Sequence, residues 1–378
     1  MTRRPTAKGW CPGAYNPMMS GDGLIVRVRP FYARLSAAQV FGLCDLAQRH
    51  GNGFLDLTNR ANIQIRGVLD RDLDTLISAL ANLDLLDSTP ETERRRNIMV
   101  FPFWTGDDDT QQVTRALLNA LTQLPDLPAK FGFAIDTGYA PVLTGCSADI
   151  RVERAKDGFI VRGDGMHLGR DVKKDAVIPA ILEMARWFSD RRTGTDRRMS
   201  HVLEHAQLPA AWRAAKPLET APCPVPGPNP SGYVLGAPFG QIDARALARL
   251  LLQTGAPALR VTPWRLFVLE DVTTVMPSDF VTAAEDRLLR VDACPGAPFC
   301  DSATVETRTL ARRLAPIADG SLHISGCAKG CARKGSAATT IVGNNGLFDL
   351  VENGHAWDAP KTTGLRPEDI FAEATDPL

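Results

Sequence analysis

The chain has 378 residues, 44% hydrophobic and 23% charged, the balance of a folded globular protein long enough for two or three domains. That excludes wholesale disorder, collagen and coiled coil. Lys and Arg number 43 and Asp and Glu also 43, so no global field recruits nucleic acid or an anionic membrane surface.

No apolar run follows the arginines of the first 13 residues, and no window approaches the roughly 20 apolar residues of a membrane span. A cytoplasmic location is expected. The first strand-like run is 23–29. Ser36-Ala-Ala-Gln39 then has the form of a capping box and opens a helix carrying Val40, Leu43 and Ala47. Gly51 falls where that helix stops, and strands are expected near 54–58 and 62–68. A longer α/β stretch follows, with strands near 97–103, 131–136, 148–153 and 158–162 and helices near 111–123 and 174–189. The proline-rich run 221–230 cannot continue a helix and reads as a semi-rigid linker.

Beyond the linker the first pattern returns. Tyr233-Val-Leu is strand-like, Asp243 caps an Ala/Leu/Arg helix that ends at Gly255, and strands follow at 258–262 and 265–272. Gly51 precedes Thr58 by seven residues, and Gly255 precedes Thr262 by the same seven. The shared order of strand, helix, strand, strand indicates duplication. The expected class is α+β, with small half-units at 1–88 and 231–288, larger α/β units at 89–215 and 289–378, and a linker at 216–230.

Eight cysteines are too dilute for a disulfide scaffold. Cys11, Cys44, Cys146 and Cys223 stand singly, whereas Cys294, Cys300, Cys327 and Cys331 form two pairs within 38 residues. Paired thiols in a reducing compartment point to a metal centre. Structural zinc favours tighter spacing than C-x5-C, and an iron–sulfur centre is the stronger reading. The segment 294–335 carries six Lys/Arg against three acids, and positive charge offsets the negative charge of such a centre.

Basic residues recur elsewhere. In Thr58-Asn-Arg-Ala-Asn-Ile-Gln-Ile-Arg-Gly67, strand alternation places Arg60, Asn62, Gln64 and Arg66 on one face. Such a face is also what the wet side of any sheet looks like. Arg96 lies in a run of arginines before a strand, and Lys130 lies in Pro128-Ala-Lys-Phe131. His201 and His205 have i, i+4 spacing, more consistent with a solvated helix face than with a metal site; His167 and His323 are further candidates.

Together the cysteine pattern, the T-x-R run, the Arg96-Asn97 pair and the P-x-K-F run resemble the sulfite/nitrite reductase superfamily. That resemblance implies two ferredoxin-like half-units and a [4Fe–4S] cluster on Cys294, Cys300, Cys327 and Cys331. It also implies tetrapyrrole carboxylates bound by Arg60, Arg66, Arg96 and Lys130. Gly132 departs from the reductases, which have a second lysine there, and glycine is expected to leave room. Gly9-Trp-Cys-Pro-Gly13, Ser20-Gly-Asp-Gly-Leu24 and the 56–67 run resemble instead the aerobic cobalamin-pathway branch. That branch implies O2-dependent hydroxylation of precorrin-3A at a meso carbon with γ-lactone formation. It further implies a mononuclear non-haem iron and NADH or another external reductant, with an electron-donor partner as one source. The alternative is a sirohaem-dependent sulfite or nitrite reductase.

Overall fold

The computed structural model describes residues 12–276 and 279–375; Gly9, Trp10 and Cys11 of the N-terminal motif lie outside them. The first small unit holds β1 (Met18–Ser20), β2 (Gly23–Val28), β3 (Arg34–Ser36), β4 (Phe54–Leu57) and β5 (Ile63–Val68). The first large unit holds β6 (Ile98–Val100), β7 (Phe133–Asp136), β8 (Ile150–Ala155), β9 (Gly158–Gly163) and β10 (Arg170–Val172). The second half repeats this with β11 (Gly227–Asn229), β12 (Gly232–Gly236), β13 (Gln241–Asp243), β14 (Ala258–Val261) and β15 (Leu266–Glu270). Its large unit holds β16 (Val291–Ala293), β17 (Leu322–Ser325), β18 (Ala337–Asn344), β19 (Leu347–Gly354) and β20 (Thr362–Leu365).

Among the described residues these strands make four five-stranded sheets, and the two small sheets exchange a strand. β13 completes the sheet β1-β2-β5-β4, and β3 completes β11-β12-β15-β14. In each half the chain leaves its hairpin through a tight turn containing a left-handed aromatic residue, Tyr32 at φ 57 or Phe239 at φ 61. Such a backbone costs a bulky residue on the order of 1–2 kcal/mol, and here it precedes the strand that crosses to the other sheet. The helices Ala37–His50 and Ala244–Thr254 follow and pack on each other. Leu43, Leu55 and Ile65 share one buried core with Leu247, Leu259 and Phe267. The small units therefore share a single core.

The helix starts follow the sequence signals. Ser36 Oγ accepts from the Gln39 amide at 3.3 Å and Gln39 Oε1 from the Ser36 amide at 2.9 Å, a complete capping box. Asp243 caps the second helix through the Ala246 amide. Gly255 ends that helix in the left-handed conformation (φ 65), whereas Gly51 is extended.

The duplication extends to the large units. β6, β7 and β8 are parallel, with β9 and β10 added antiparallel; β16, β17 and β18 are parallel, with β19 and β20 added antiparallel. Crossover helices Asp109–Ala120 and Arg308–Leu314 lie between the first two strands of each sheet. The expected linker at 216–230 is not all linker, because Gly227–Asn229 forms β11. It lies at a sheet edge, where the missing N–H of Pro228 is tolerated. Among the described residues no helix is long and apolar enough to cross a membrane.

Candidate active site

Open sheets with parallel strands present their ligand loops at the carboxyl ends of those strands. In the second large unit these loops carry the paired cysteines. Cys294 directly follows β16, and Cys327 comes two residues after the end of β17. Cys300 lies in the loop between β16 and the helix Arg308–Leu314, and Cys331 in the loop before β18. The Lys329 ammonium ties the loops together by donating to Ser302 Oγ at 2.6 Å.

Cys294 is buried, and its sulfur accepts the Gly326 amide at 3.1 Å. Burial pushes its thiol up, and the Gly326 and Gly296 amides pull it part of the way back. Cys331 stands at the surface, yet its thiol is also raised, first by lost hydration and then by Cys294, Cys327 and Cys300. The four thiols thus lie within electrostatic reach of one another. As thiolates they repel, and a cationic metal core is what relieves that repulsion.

The four basic candidates separate into two kinds. Arg60 Nη2 donates to the Lys130 carbonyl at 3.0 Å and to Ser147 Oγ at 3.3 Å, which brings the Thr58 turn and the Lys130 run to one corner. Thr58 Oγ1 accepts the Arg60 amide at 3.3 Å and the Asn62 amide at 3.2 Å, which shapes the turn. Arg198 joins this corner, donating to Ser147 Oγ at 3.0 Å and to Asp149 Oδ1 at 2.9 Å. Sequence reasoning missed Arg198. It sits in a polar stretch before a short helix, and only the fold brings it to Ser147.

Arg96 and Arg66 are buried. Arg96 is 6% exposed, makes a bidentate pair with Asp87 at 2.6 and 2.9 Å, and stacks over Phe31 with its Cζ 3.9 Å from the ring centroid. Beside it Arg29 is held at about 10 by burial and by the Arg96 charge, against the pull of Glu93. Glu93 also accepts the Ala14 amide at 2.7 Å, so this buried network fastens the segment around Ala14. Arg66 is 7% exposed and paired with Asp22 at 3.0 Å and Asp56 at 3.7 Å. In both cases acids already neutralise the guanidinium charge, although among the described residues Arg66 Nε has no hydrogen-bond partner.

Gly132 leaves no room, contrary to expectation. A Cβ there would meet Asn97 Nδ2 at 2.8 Å and Asn97 O at 3.0 Å. Its amide donates to Asp149 Oδ2 at 2.9 Å, and Asn97 Nδ2 donates to the Phe131 carbonyl at 2.8 Å. The space of a side chain is filled by Asn97.

The histidines do not converge. His167 and His201 are exposed, and His205 Nε2 pairs with Asp196 at 2.9 Å. His323 is fully buried in β17, neither ring nitrogen is hydrogen-bonded among the described residues, and burial pushes it down to about 4. Among the described residues no three His, Cys, Asp or Glu side chains close around a single point as a one-ion site.

By comparison with known proteins, these duplicated, strand-exchanging sheets fall in the nitrite/sulfite reductase class of protein. Residues 16–83 match the model of the nitrite/sulfite reductase ferredoxin-like half domain. The structure of Mycobacterium tuberculosis NirA protein has the same fold, with a TM-score of 0.59 at 17% identity over 88% of this chain and 74% of that one. Within the class the chain belongs to the precorrin-3B synthase family. It is 31% identical to the precorrin-3B synthase of Sinorhizobium sp over 93% of this chain and 84% of that protein. To the ferredoxin–nitrite reductase of Synechococcus elongatus it is 24% identical, over 88% of this chain and 78% of that protein.

Proposed function

We propose that this chain is a precorrin-3B synthase acting in the cytoplasm. It hydroxylates precorrin-3A at a meso carbon, consuming O2 and electrons from NADH or another external reductant, and a ring acetate closes to a γ-lactone. The observation that carries this reading is the 31% identity to a protein of that name across 93% of the chain. A precorrin is a flat apolar macrocycle fringed with carboxylates. Guanidinium and ammonium groups meet such a fringe through charge-assisted hydrogen bonds. Arg60 and Lys130 are the residues assigned to that task, with Arg198 beside them. Arg66 and Arg96 are left to hold the frame around it.

Cys294, Cys300, Cys327 and Cys331 are assigned to a [4Fe–4S] cluster, and the donor set fits. Four soft thiolates on loops at one end of a sheet are the donor set such a cluster takes. When bound, the cluster supplies one-electron transfer. The chain's own part is to hold it with soft thiolates, amides aimed at sulfur and nearby cations. The described residues do not present a ligand set that fits a mononuclear iron. The sirohaem-reductase alternative is disfavoured at Gly132, where the reductases' lysine is missing and Asn97 occupies its space.

The test is mass spectrometry of the product formed from precorrin-3A, a reductant and labelled dioxygen. A product heavier by one labelled oxygen atom is expected. Robust sulfite or nitrite turnover without labelled product would return the chain to the reductases.

A further inference from the structure

Arg66 is paired on its own sheet, yet one of its nitrogens reaches across to the other half of the molecule. Nη2 donates to Asp22 Oδ1 at 3.0 Å, to Ser20 Oγ at 2.9 Å and to the main-chain carbonyl of Phe299 at 2.8 Å. Ser20 Oγ donates to the same carbonyl at 2.9 Å. Phe299 immediately precedes Cys300. Between Ser20 and Asp22 the chain approaches this loop so closely that a Cβ on Gly21 would lie 2.8 Å from the Pro298 carbonyl and 2.9 Å from Asp301 Oδ1. The β1–β2 turn of the first half is therefore seated on the Cys300 loop of the second.

The opposite small sheet makes a matching contact with the charges exchanged. Glu270 holds Arg260 at 2.6 Å and Arg34 at 2.8 Å, and Arg260 donates to the carbonyls of Pro102 (2.9 Å) and Trp104. Residues 101–104 follow β6, as the Cys294–Cys300 loop follows β16. Each small sheet thus grips, with one arginine, the loop after the first parallel strand of the other half's large unit. Only one of these loops carries thiols.

We propose that Arg66, acting with Ser20 and Asp22, is a positioning residue for Cys300. It fixes the main chain one residue before the thiol, and so sets the geometry and reduction potential of the cluster; the second clause rests on the cluster reading above. Arg66 acts through the Phe299 carbonyl, one residue before the thiol.

The test compares wild type with Ser20→Ala, Arg66→Lys and Gly21→Ala. The first two remove or misplace donors to Phe299, and the third drives a methyl group into Pro298. In the cluster-free full-length chain, the rate of iodoacetamide labelling at Cys300 is read by mass spectrometry against Cys331 in the same sample. Charge-assisted bonds of this kind hold a loop closed by roughly tenfold or more. Labelling of Cys300 should rise by about that factor in the variants while Cys331 stays constant. In cluster-loaded protein the same variants should shift the midpoint potential and the electron paramagnetic resonance signature of the reduced centre. Should Arg66→Lys not fold, Ser20→Ala, which removes one hydroxyl, carries the comparison. Unchanged Cys300 labelling in folded variants, or an equal rise at Cys331, overturns the proposal. A wild-type chain that binds no cluster would sink the cluster reading instead, and the labelling ratio would still decide whether the clamp exists.

Discussion

Arg66 and Glu270 occupy the same place in the two halves with opposite charge. Each directly follows the residue, Ile65 or Leu269, that pairs with Leu55 of β4 or Leu259 of β14. Their partners Asp56 and Arg260 are likewise equivalent, facing Gln64 and Val268 across the same hairpin register. The duplication has kept a buried ion pair at one site and reversed its polarity. The arginine that grips the opposite loop therefore comes from β5 in one half and from β14 in the other.

Glu270 is the acid on which two arginines converge. Burial pushes its carboxyl up, but hydrogen bonds from Arg34 and Arg260 outweigh that and hold it below the usual range. A depressed carboxylate stabilises the fold at neutral pH, and that stability is lost as pH falls through the folded-state value. Glu270→Gln leaves Arg260, 6% exposed, without its counter-charge, and should cost on the order of 3 kcal/mol. Urea unfolding at pH 7 measures this, and an unchanged midpoint would mean the pair contributes nothing net.

The cysteines divide by position. Cys300→Ser and Cys327→Ser should each remove most of the bound inorganic sulfide, because a hard hydroxyl replaces a soft thiolate. Cys44→Ser should keep it. Cys44 lies in the shared core, 1% exposed and with its thiol raised to about 12 by burial, so serine there should lower stability instead. Sulfide assay and thermal unfolding separate the two effects; full sulfide retention in both Cys300→Ser and Cys327→Ser would sink the ligand assignment.

Two arginines that look alike in sequence should behave differently. Arg60→Ala should weaken tetrapyrrole binding by about one to two decades, the worth of a charge-assisted contact of roughly 1.5–3 kcal/mol, with the unfolding midpoint little changed. Arg96→Ala strands the buried Asp87 carboxylate and should cost about 3–5 kcal/mol of stability. Parallel titration and unfolding experiments read both quantities. A stable Arg96→Ala that loses only binding would put Arg96 back among the substrate contacts.

That contrast marks what the sequence could disclose. Ser36, Gln39, Asp243 and Gly255 act on amides within a turn of themselves, so their roles are written locally. The paired cysteines are also local, each pair at the carboxyl end of a strand. Strand exchange is not legible, because Leu35 and Ile242 alternate with polar neighbours in the same way whichever sheet receives them. Alternation correctly places Arg66 opposite the core-facing Ile65, but it cannot show that Asp22, Asp56 and the Phe299 carbonyl await it there. The reading of Gly132 as empty space fails for the same reason, since Asn97 lies 35 positions earlier and fills it.

Asp136 provides a pH signature. It ends β7, is 1% exposed, and accepts the Val142 and Leu143 amides at Oδ2, while Oδ1 has no partner among the described residues. Burial raises it to about 7; the two amides and Arg151 pull it down, and Glu153 pushes it further up. Its folded-state value therefore lies above its unfolded value, so the unfolded chain gives up its proton first as pH rises. The fold is penalised progressively from about pH 4 to pH 7, by on the order of 4 kcal/mol when complete. Asp136→Asn keeps an oxygen for the two amides and carries no charge, so it escapes this penalty. Its stability relative to wild type should be near zero or slightly negative at pH 4.5 and should rise by on the order of 2–3 kcal/mol by pH 8. His323, which burial disfavours in its charged form below neutrality, is common to both proteins and cancels in the difference. Urea unfolding of the pair at the two pH values is the measurement, and a difference that does not change with pH would mean Asp136 is not held protonated by the fold.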